Sequence, residues 1–252
     1  MKLENRVAII TGAGRGIGKA IAFRLAEEGA KIVASDIDLA YAEDVANRLK
    51  KKGRQALAVK ADVTSGYEVA QVFKAAEKRF GGVDILVNSA GIRRDAPLHK
   101  MSEDDWDTVL ATQARGSFNC ARAVQKYMVR HNYGKIVNIS SPVPASLGER
   151  EQTAYAAASA AVQGFTRALA LELGPYGINV NCVAPEYIDT EMTRSVARKD
   201  GMYLDDFRKF ATARVPLRRI GTPEDVANVV LFLVSDESSF VSGQVIYVRG
   251  GP

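Results

Sequence analysis

Cysteine and histidine are almost absent from this chain. Its 252 residues carry two of each, and a single tryptophan. Cys120 and Cys182 are far apart and show no CxxC spacing. That excludes a disulfide framework and a cysteine zinc site, and free buried thiols suit a reducing, cytoplasmic setting. His99 and His131 do not stand near a cysteine at ligand spacing, so no metal is expected. Long apolar runs are missing too. The first one, at 7–10, gives way to glycines and is too short for a secretory signal or a membrane span, so no membrane partner is expected. Charge of one sign is not concentrated either. The net charge is +5, but the 34 lysines and arginines are scattered, with one cluster at Lys50, Lys51 and Lys52. Such a distribution reads as solvated surface and predicts no nucleic-acid partner. The composition is near the globular average, with 21 glycines and 8 prolines, which excludes collagen, disorder and low complexity.

What is present is alternation. Short apolar runs at 7–10, 31–35, 56–60, 85–87, 135–139, 179–183 and 244–248 read as strands. Several are continuous in Val, Ile, Leu and Ala, as strands covered on both faces should be. Helical patterns fall between them at 16–28, 39–52, 67–80, 103–130, 154–173 and 223–234. Gly29, Gly53, Gly81 and Gly174 stand where helices should stop, and Ser102 before Glu103, Asp104 and Asp105 where one should start. The pattern predicts an α/β, Rossmann-type doubly wound parallel sheet with helices on both faces. No linker, repeat or composition break divides residues 1–252, so a single domain is expected. The one long irregular stretch, about 186–216, follows a strand and should form a lid over the carboxyl edge of the sheet.

The strand at 7–10 runs into Thr11-Gly12-Ala13-Gly14-Arg15-Gly16-Ile17-Gly18 and then a helix. Glycines let the backbone approach a pyrophosphate, and a helix N-terminus supplies N–H groups and a positive dipole. The spacing is TGxxxGxG rather than GxGxxG. Asp36 closes the second strand, 18 residues after Gly18. A carboxylate there accepts bonds from a ribose 2′-hydroxyl and repels a 2′-phosphate, which favours NAD over NADP. Arg15 argues the other way, since it could reach a 2′-phosphate.

These motifs, in this order, resemble the short-chain dehydrogenase/reductase family over essentially the full length. Thr11–Gly18 is similar to the family's nucleotide loop. Asp62 and Val63 are similar to its adenine contact, and Asn88-Ser89-Ala90-Gly91 to its NNAG motif. Tyr155 stands in YAAAS, where the family has YxxxK. Pro185 through Thr190 is similar to its PG-then-Thr segment, and Gly250-Gly251 to its terminal GG. The resemblance implies a seven-stranded sheet in the order 3-2-1-4-5-6-7, a homotetramer, and a small-molecule alcohol or carbonyl substrate. It also implies an Asn–Ser–Tyr–Lys catalytic set.

That set is incompletely matched. Tyr155 is present. Ser141 fits the family serine when counted from the preceding strand, whereas counting back from Tyr155 lands on Pro142, so the loop at 142–152 would carry one extra residue. Pro142 and Pro144 should stiffen it. Gln113 stands at the Asn position, Ser159 at the Lys position, Glu186 in place of a glycine beside the nicotinamide, and Arg249 in place of an aspartate. An unassisted tyrosine, with a pKa of about 10, is ionised in roughly one molecule in a thousand at pH 7. Losing about three units of activation costs about 4 kcal/mol, so slow redox chemistry is expected. A carboxylate at Glu186 should also crowd the cofactor. The departures gather at one pocket while Gly12, Gly16, Gly18, Asp36 and Asn88 remain. Such clustering reads as a deliberately changed site, whether by adaptation or by engineering.

Three readings stay open. The first is an NAD-dependent oxidoreductase with an altered site. The second is a non-redox enzyme using Glu186 as general base for proton abstraction or elimination. The third is a nucleotide-binding protein without turnover. Tyr187, Met192, Met202, Tyr203, Phe207 and Phe210 could line the pocket or form lid core. Arg93 and Arg94, just after Gly91, could face the cofactor edge or a subunit contact, with a surface role favoured over either. Trp106, Val109 and Leu110 are expected in helix core, and the alanine-rich helix from Ala154 to Ala161 at a subunit contact.

Overall fold

A computed structural model describes residues 1–142, 149–199 and 203–252. Pro144, Met202 and the Phe207 side chain lie outside the described residues. Seven strands form one sheet: β1 Val7–Thr11, β2 Lys31–Asp36, β3 Ala56–Lys60, β4 Ile85–Asn88, β5 Gly134–Ile139, β6 Ile178–Pro185 and β7 Val245–Val248. Every pairing is parallel and the order is β3-β2-β1-β4-β5-β6-β7. The helices are α1 Gly16–Glu27, α2 Leu39–Lys51, α3 Gly66–Phe80, α4 Glu103–Leu110, α5 Gly116–His131, α6 Thr153–Leu173, α7 Glu191–Lys199, α8 Leu204–Arg214 and α9 Pro223–Val234.

The unbroken apolar runs have a direct cause. Successive side chains of a strand point to opposite faces, and both faces are covered here. Ala8, Ile10, Ile32, Ala34 and Val87 pack with Ile21 and Leu25 of α1, Val45 and Leu49 of α2, and Val226 and Val230 of α9. The intervening Ile9, Val33 and Leu86 pack with Phe73 of α3, Val124 and Met128 of α5, and Leu173 of α6. One strand therefore serves two cores. Strand order reverses direction at β1 and β4, and this switch point opens a crevice at the carboxyl edge, where ligands bind in such sheets. Cys120 and Cys182 are buried and unpaired, and burial pushes each thiol up to about 12. No helix among the described residues is long and apolar enough to cross a membrane, and no metal-holding cluster occurs among them.

Three expectations need correction. The helix predicted over 103–130 is interrupted by a π turn at Ala111–Arg115. A π turn inserts one residue into an α-helical ladder without breaking the apolar period on either side, so periodicity alone does not reveal it. The stretch at 186–216 is not irregular, because it carries α7 and α8, both with acidic first turns. Gly174 is right-handed; it opens a 3₁₀ turn with Pro175 at its start, and the left-handed stop falls on Gly177 instead, at φ +68°. Ser102 does cap α4, accepting from the Asp105 amide at 3.0 Å.

Candidate functional site

The nucleotide loop leaves β1 at Thr11, whose hydroxyl accepts from the Ser89 and Ala90 amides at 3.1 and 3.3 Å. This ties the loop after β1 to the loop after β4 across the switch point. Gly12, at φ +60°, lies so close to Ala90 that a Cβ would sit 2.9 Å from the Ala90 Cα. Gly16 is also left-handed, at φ +49°, and faces the Thr190 methyl from the far side of the crevice. The first turn of α1 has no side-chain cap. Its N–H groups and dipole are thus aimed at the crevice floor, a cradle that fits the pyrophosphate of a dinucleotide.

The adenosine end is built around Asp36, which is buried. One oxygen accepts from the Gly14 amide at 3.0 Å and the other from Asp38 at 3.2 Å. A carboxylate has about four acceptor sites, so two remain for ribose hydroxyls. The Arg15 guanidinium lies 4.8 Å from the centroid of the Tyr41 ring, and Tyr41 and Asp36 both border Gly14. Asp62 turns the chain after β3 by accepting from the Thr64 amide at 2.8 Å. Val63 is buried in the core, and its carbonyl accepts from Asn119. Asn88 donates to Asn138 at 2.8 Å, and Asn138 donates onward to Thr166 at 2.9 Å, stitching β4 and β5 to α6. Ala90, Gly91 and Ile17 border the same crevice through these loops, and Pro185 ends β6 at its rim.

The reacting end lies where β4, β5 and β6 stop. Ser141 follows β5 and stands close enough to the Tyr155 phenol on α6 to act on its ionisation. Burial pushes the Tyr155 pKa up. The Arg93 charge and Ser141 pull it back, while Asp95 and Glu149 push it further. Gln163 of α6 fixes the loop by donating to the Ser141 carbonyl at 2.8 Å. Ser159 is fully buried, and its hydroxyl has no hydrogen-bond partner among the described residues. Only its carbonyl is engaged, accepting from Ser140 at 3.0 Å. Gln113 lies in the π turn. Its amide donates to the Ile92 carbonyl at 3.1 Å, and its own carbonyl accepts from Ser117 at 2.7 Å.

Glu186 leaves β6 with its amide donating to Val248 at 3.1 Å. Its carboxylate stands 3.8 Å from the Arg249 guanidinium. Burial raises its pKa, Arg249 opposes that, and Glu149 adds to it. The two unusual residues therefore face each other as a pair. The candidate lining is less enclosed than anticipated, since Met192, Tyr203 and Phe210 are exposed. Asp189 is what ties this region together. It accepts from Arg194 of α7 at 2.7 Å and from Arg208 of α8 at 2.9 Å, and these cations hold its carboxyl below the usual range. A separate cavity of about 170 Å³, between α3 and α5, contains no predicted site residue.

Arg93 was expected at the surface, and the structure corrects this. Its side chain is largely buried, with the guanidinium 5.3 Å from the Tyr155 ring centroid and paired to Asp95 at 2.5 Å. The available signal was its position two residues beyond Gly91, in the loop leaving β4 at the carboxyl edge. Arg94 is exposed as expected. Asn138 and Gln163 were also missed, although an asparagine inside the apolar run of β5 marks a buried polar network.

The family model described as enoyl-(acyl carrier protein) reductase matches residues 12–252. Among curated proteins, (2S)-[(R)-hydroxy(phenyl)methyl]succinyl-CoA dehydrogenase subunit BbsD of Thauera aromatica is 44% identical, over 100% of this chain and 98% of its own length. The 3-oxoacyl-[acyl-carrier-protein] reductase FabG of Thermotoga maritima is 42% identical, over 100% and 99%. Among solved structures, a levodione reductase superposes with a TM-score of 0.93 at 33% identity, covering 98% of this chain and 97% of its own. A gluconate 5-dehydrogenase from Burkholderia cenocepacia, in complex with NADP and tartrate, does so with a TM-score of 0.91 at 37% identity, covering 99% and 95%. With the sheet order, the glycine loop and the Ser141–Tyr155 pair already in place, these matches establish that the chain belongs to the short-chain dehydrogenase/reductase family of oxidoreductases.

Proposed function

We propose that this chain interconverts an alcohol and a carbonyl with a nicotinamide dinucleotide, preferring NAD(H), at a site with reduced acid–base power. The observation that carries the reading is the approach of Ser141, at the end of β5, to the Tyr155 phenol on α6, at the carboxyl edge of the sheet that also holds the glycine loop. The bound nicotinamide would supply or accept the hydride. Ser141 would hold the substrate oxygen, and Tyr155 would give or take the proton at its hydroxyl. Asp36 supports NAD: its two remaining acceptor sites suit ribose hydroxyls, and its charge repels a 2′-phosphate. Ser159 carries no charge to assist Tyr155, so turnover should be slow at neutral pH.

The decisive measurement is fluorescence titration with NADH and NADPH, alongside reduction of a panel that includes 3-oxoacyl thioesters and small hydroxy acids. Saturable binding with NADH the tighter ligand, and activity lost in Tyr155→Phe, are expected. Absence of NADH binding, or activity that survives Tyr155→Phe, would overturn the proposal. One observation favours a second reading. Glu186 is half-buried with a raised pKa, which suits a general base. Turnover without any nicotinamide, abolished by Glu186→Gln, would support it. We also propose assembly through α5 and α6, where Phe118 and Leu171 are exposed; a monomer by light scattering at micromolar concentration would count against it.

A further inference from the structure

We propose that Arg93 supplies the positive charge at Tyr155, as a positioning residue that stabilises the tyrosinate from the face of the ring. The inference rests on Tyr155 being the acid–base group. Four observations converge. The Arg93 Cζ lies 5.3 Å from the ring centroid, inside the roughly 6 Å over which a cation engages an aromatic face. The side chain is only 19% exposed, so solvent screens the contact weakly. Asp95, two residues on, clamps one end of the guanidinium at 2.5 Å and fixes its orientation. The buried Arg93 Nε has no hydrogen-bond partner among the described residues, so that edge of the cation is not committed elsewhere.

The chemistry differs from that of a lysine in one useful way. A guanidinium does not deprotonate over the range in which a tyrosine titrates, so its charge persists throughout. A neutral phenol feels that charge through its quadrupole, whereas a phenolate feels it as a full opposite charge. The difference favours ionisation. Three further groups act on the phenol: Ser141 from the end of β5 assists, and Asp95 and Glu149 oppose. Asp95 therefore has two effects: it holds Arg93 in place and cancels part of its field.

This predicts shifts of opposite sign at neighbouring positions. The titration of Tyr155 can be followed by NMR of protein isotope-labelled at tyrosine Cζ, its signal assigned by loss in Tyr155→Phe. Arg93→Met should raise the Tyr155 pKa by about one unit, the lower end of what a nearby opposite charge contributes. That is a tenfold smaller tyrosinate fraction at a given pH. Arg93→Lys should keep most of the effect. Asp95→Asn should lower the pKa by unmasking the cation, which loss of packing would not do. A Tyr155 titration equal in parent and folded Arg93→Met, or an Asp95→Asn shift of the same sign as Arg93→Met, would overturn the proposal. Because the readout is a titration, it stands apart from turnover. If the pKa moves but Tyr155→Phe remains active, the redox reading fails while the electrostatic one holds.

Discussion

Ser159→Lys restores a cation at the family's lysine position, four residues after Tyr155, and its cost and gain can both be worked from the structure. Ser159 is fully buried. A four-carbon stem there overpacks the turn of α6, at a cost of about 1–3 kcal/mol. Removing an unpartnered buried hydroxyl returns about 1 kcal/mol. The net loss of at most about 2 kcal/mol should lower Tm by no more than roughly 8 °C, since a domain this size responds by about 2–4 °C per kcal/mol. The gain lies in ionisation. An ammonium within about 4–6 Å lowers a tyrosine pKa by about 1–3 units, which raises the tyrosinate fraction roughly 10- to 1000-fold at neutral pH. Initial rates of alcohol oxidation with NAD, in which the tyrosinate accepts the alcohol proton, should rise at least about tenfold at pH 7 when measured against pH. The advantage should shrink toward pH 10, where the parent tyrosine begins to ionise as well. A variant that folds and binds NADH yet is no faster would refute the reasoning. So would a gain that does not vary with pH, because charge on Tyr155 would then not be what limits the parent.

Gly18→Ala would place its Cβ 2.2 Å from the Gly12 carbonyl oxygen. Backbone must shift, so a loss of about 1–3 kcal/mol is expected, together with loss of the Tm increase that NADH gives the parent; a retained NADH response in a thermal melt would contradict the loop assignment. Glu186→Gln should stabilise the protein at pH 7, by up to about 2 °C in Tm. The sign follows from the raised pKa: a buried carboxylate that resists ionisation costs stability above its ordinary range, and the cost vanishes as pH falls through the folded value. Parent and variant should therefore melt alike near pH 4, and a difference that grows on acidification would be the wrong sign. Asp225 caps α9 and accepts two bonds from Arg219, which hold its pKa down to about 2 against an ordinary 3.8. Its contribution is complete above about pH 4 and is lost between about pH 4 and 2. Asp225→Asn should cost about 1 kcal/mol at pH 7 and nothing near pH 2, as denaturant melts at the two values would show.

The fold was legible because its signals are local and redundant. Continuous Val and Ile at 7–10 and 135–139, glycine after each early helix, and an ordered series of loop motifs all point to one parallel sheet. The π turn at Gln113 was not legible, because one inserted residue leaves the apolar period of α4 and α5 intact. Nor were α7 and α8, which are short and dense in charged residues. Their organiser, Asp189, is identifiable only once Arg194 and Arg208 are brought onto it. At the site, positions along the chain were readable and partners were not. Arg93 lies 62 residues before Tyr155, and no local rule connects them.

Partnership also changes how the departures from the family pattern should be judged. Taken alone, Glu186 is a carboxylate pushed against a cofactor and Arg249 an unexplained cation. In space they are neighbours 3.8 Å apart, on loops that leave β6 and β7 side by side. Arg93 has its own counterion in Asp95. Burying one unpaired charge is costly, so a charge introduced at an enclosed edge persists when an opposite one faces it. The loops at this edge therefore carry two ion pairs, Arg93–Asp95 and Glu186–Arg249, while Ser159 on α6 is neutral.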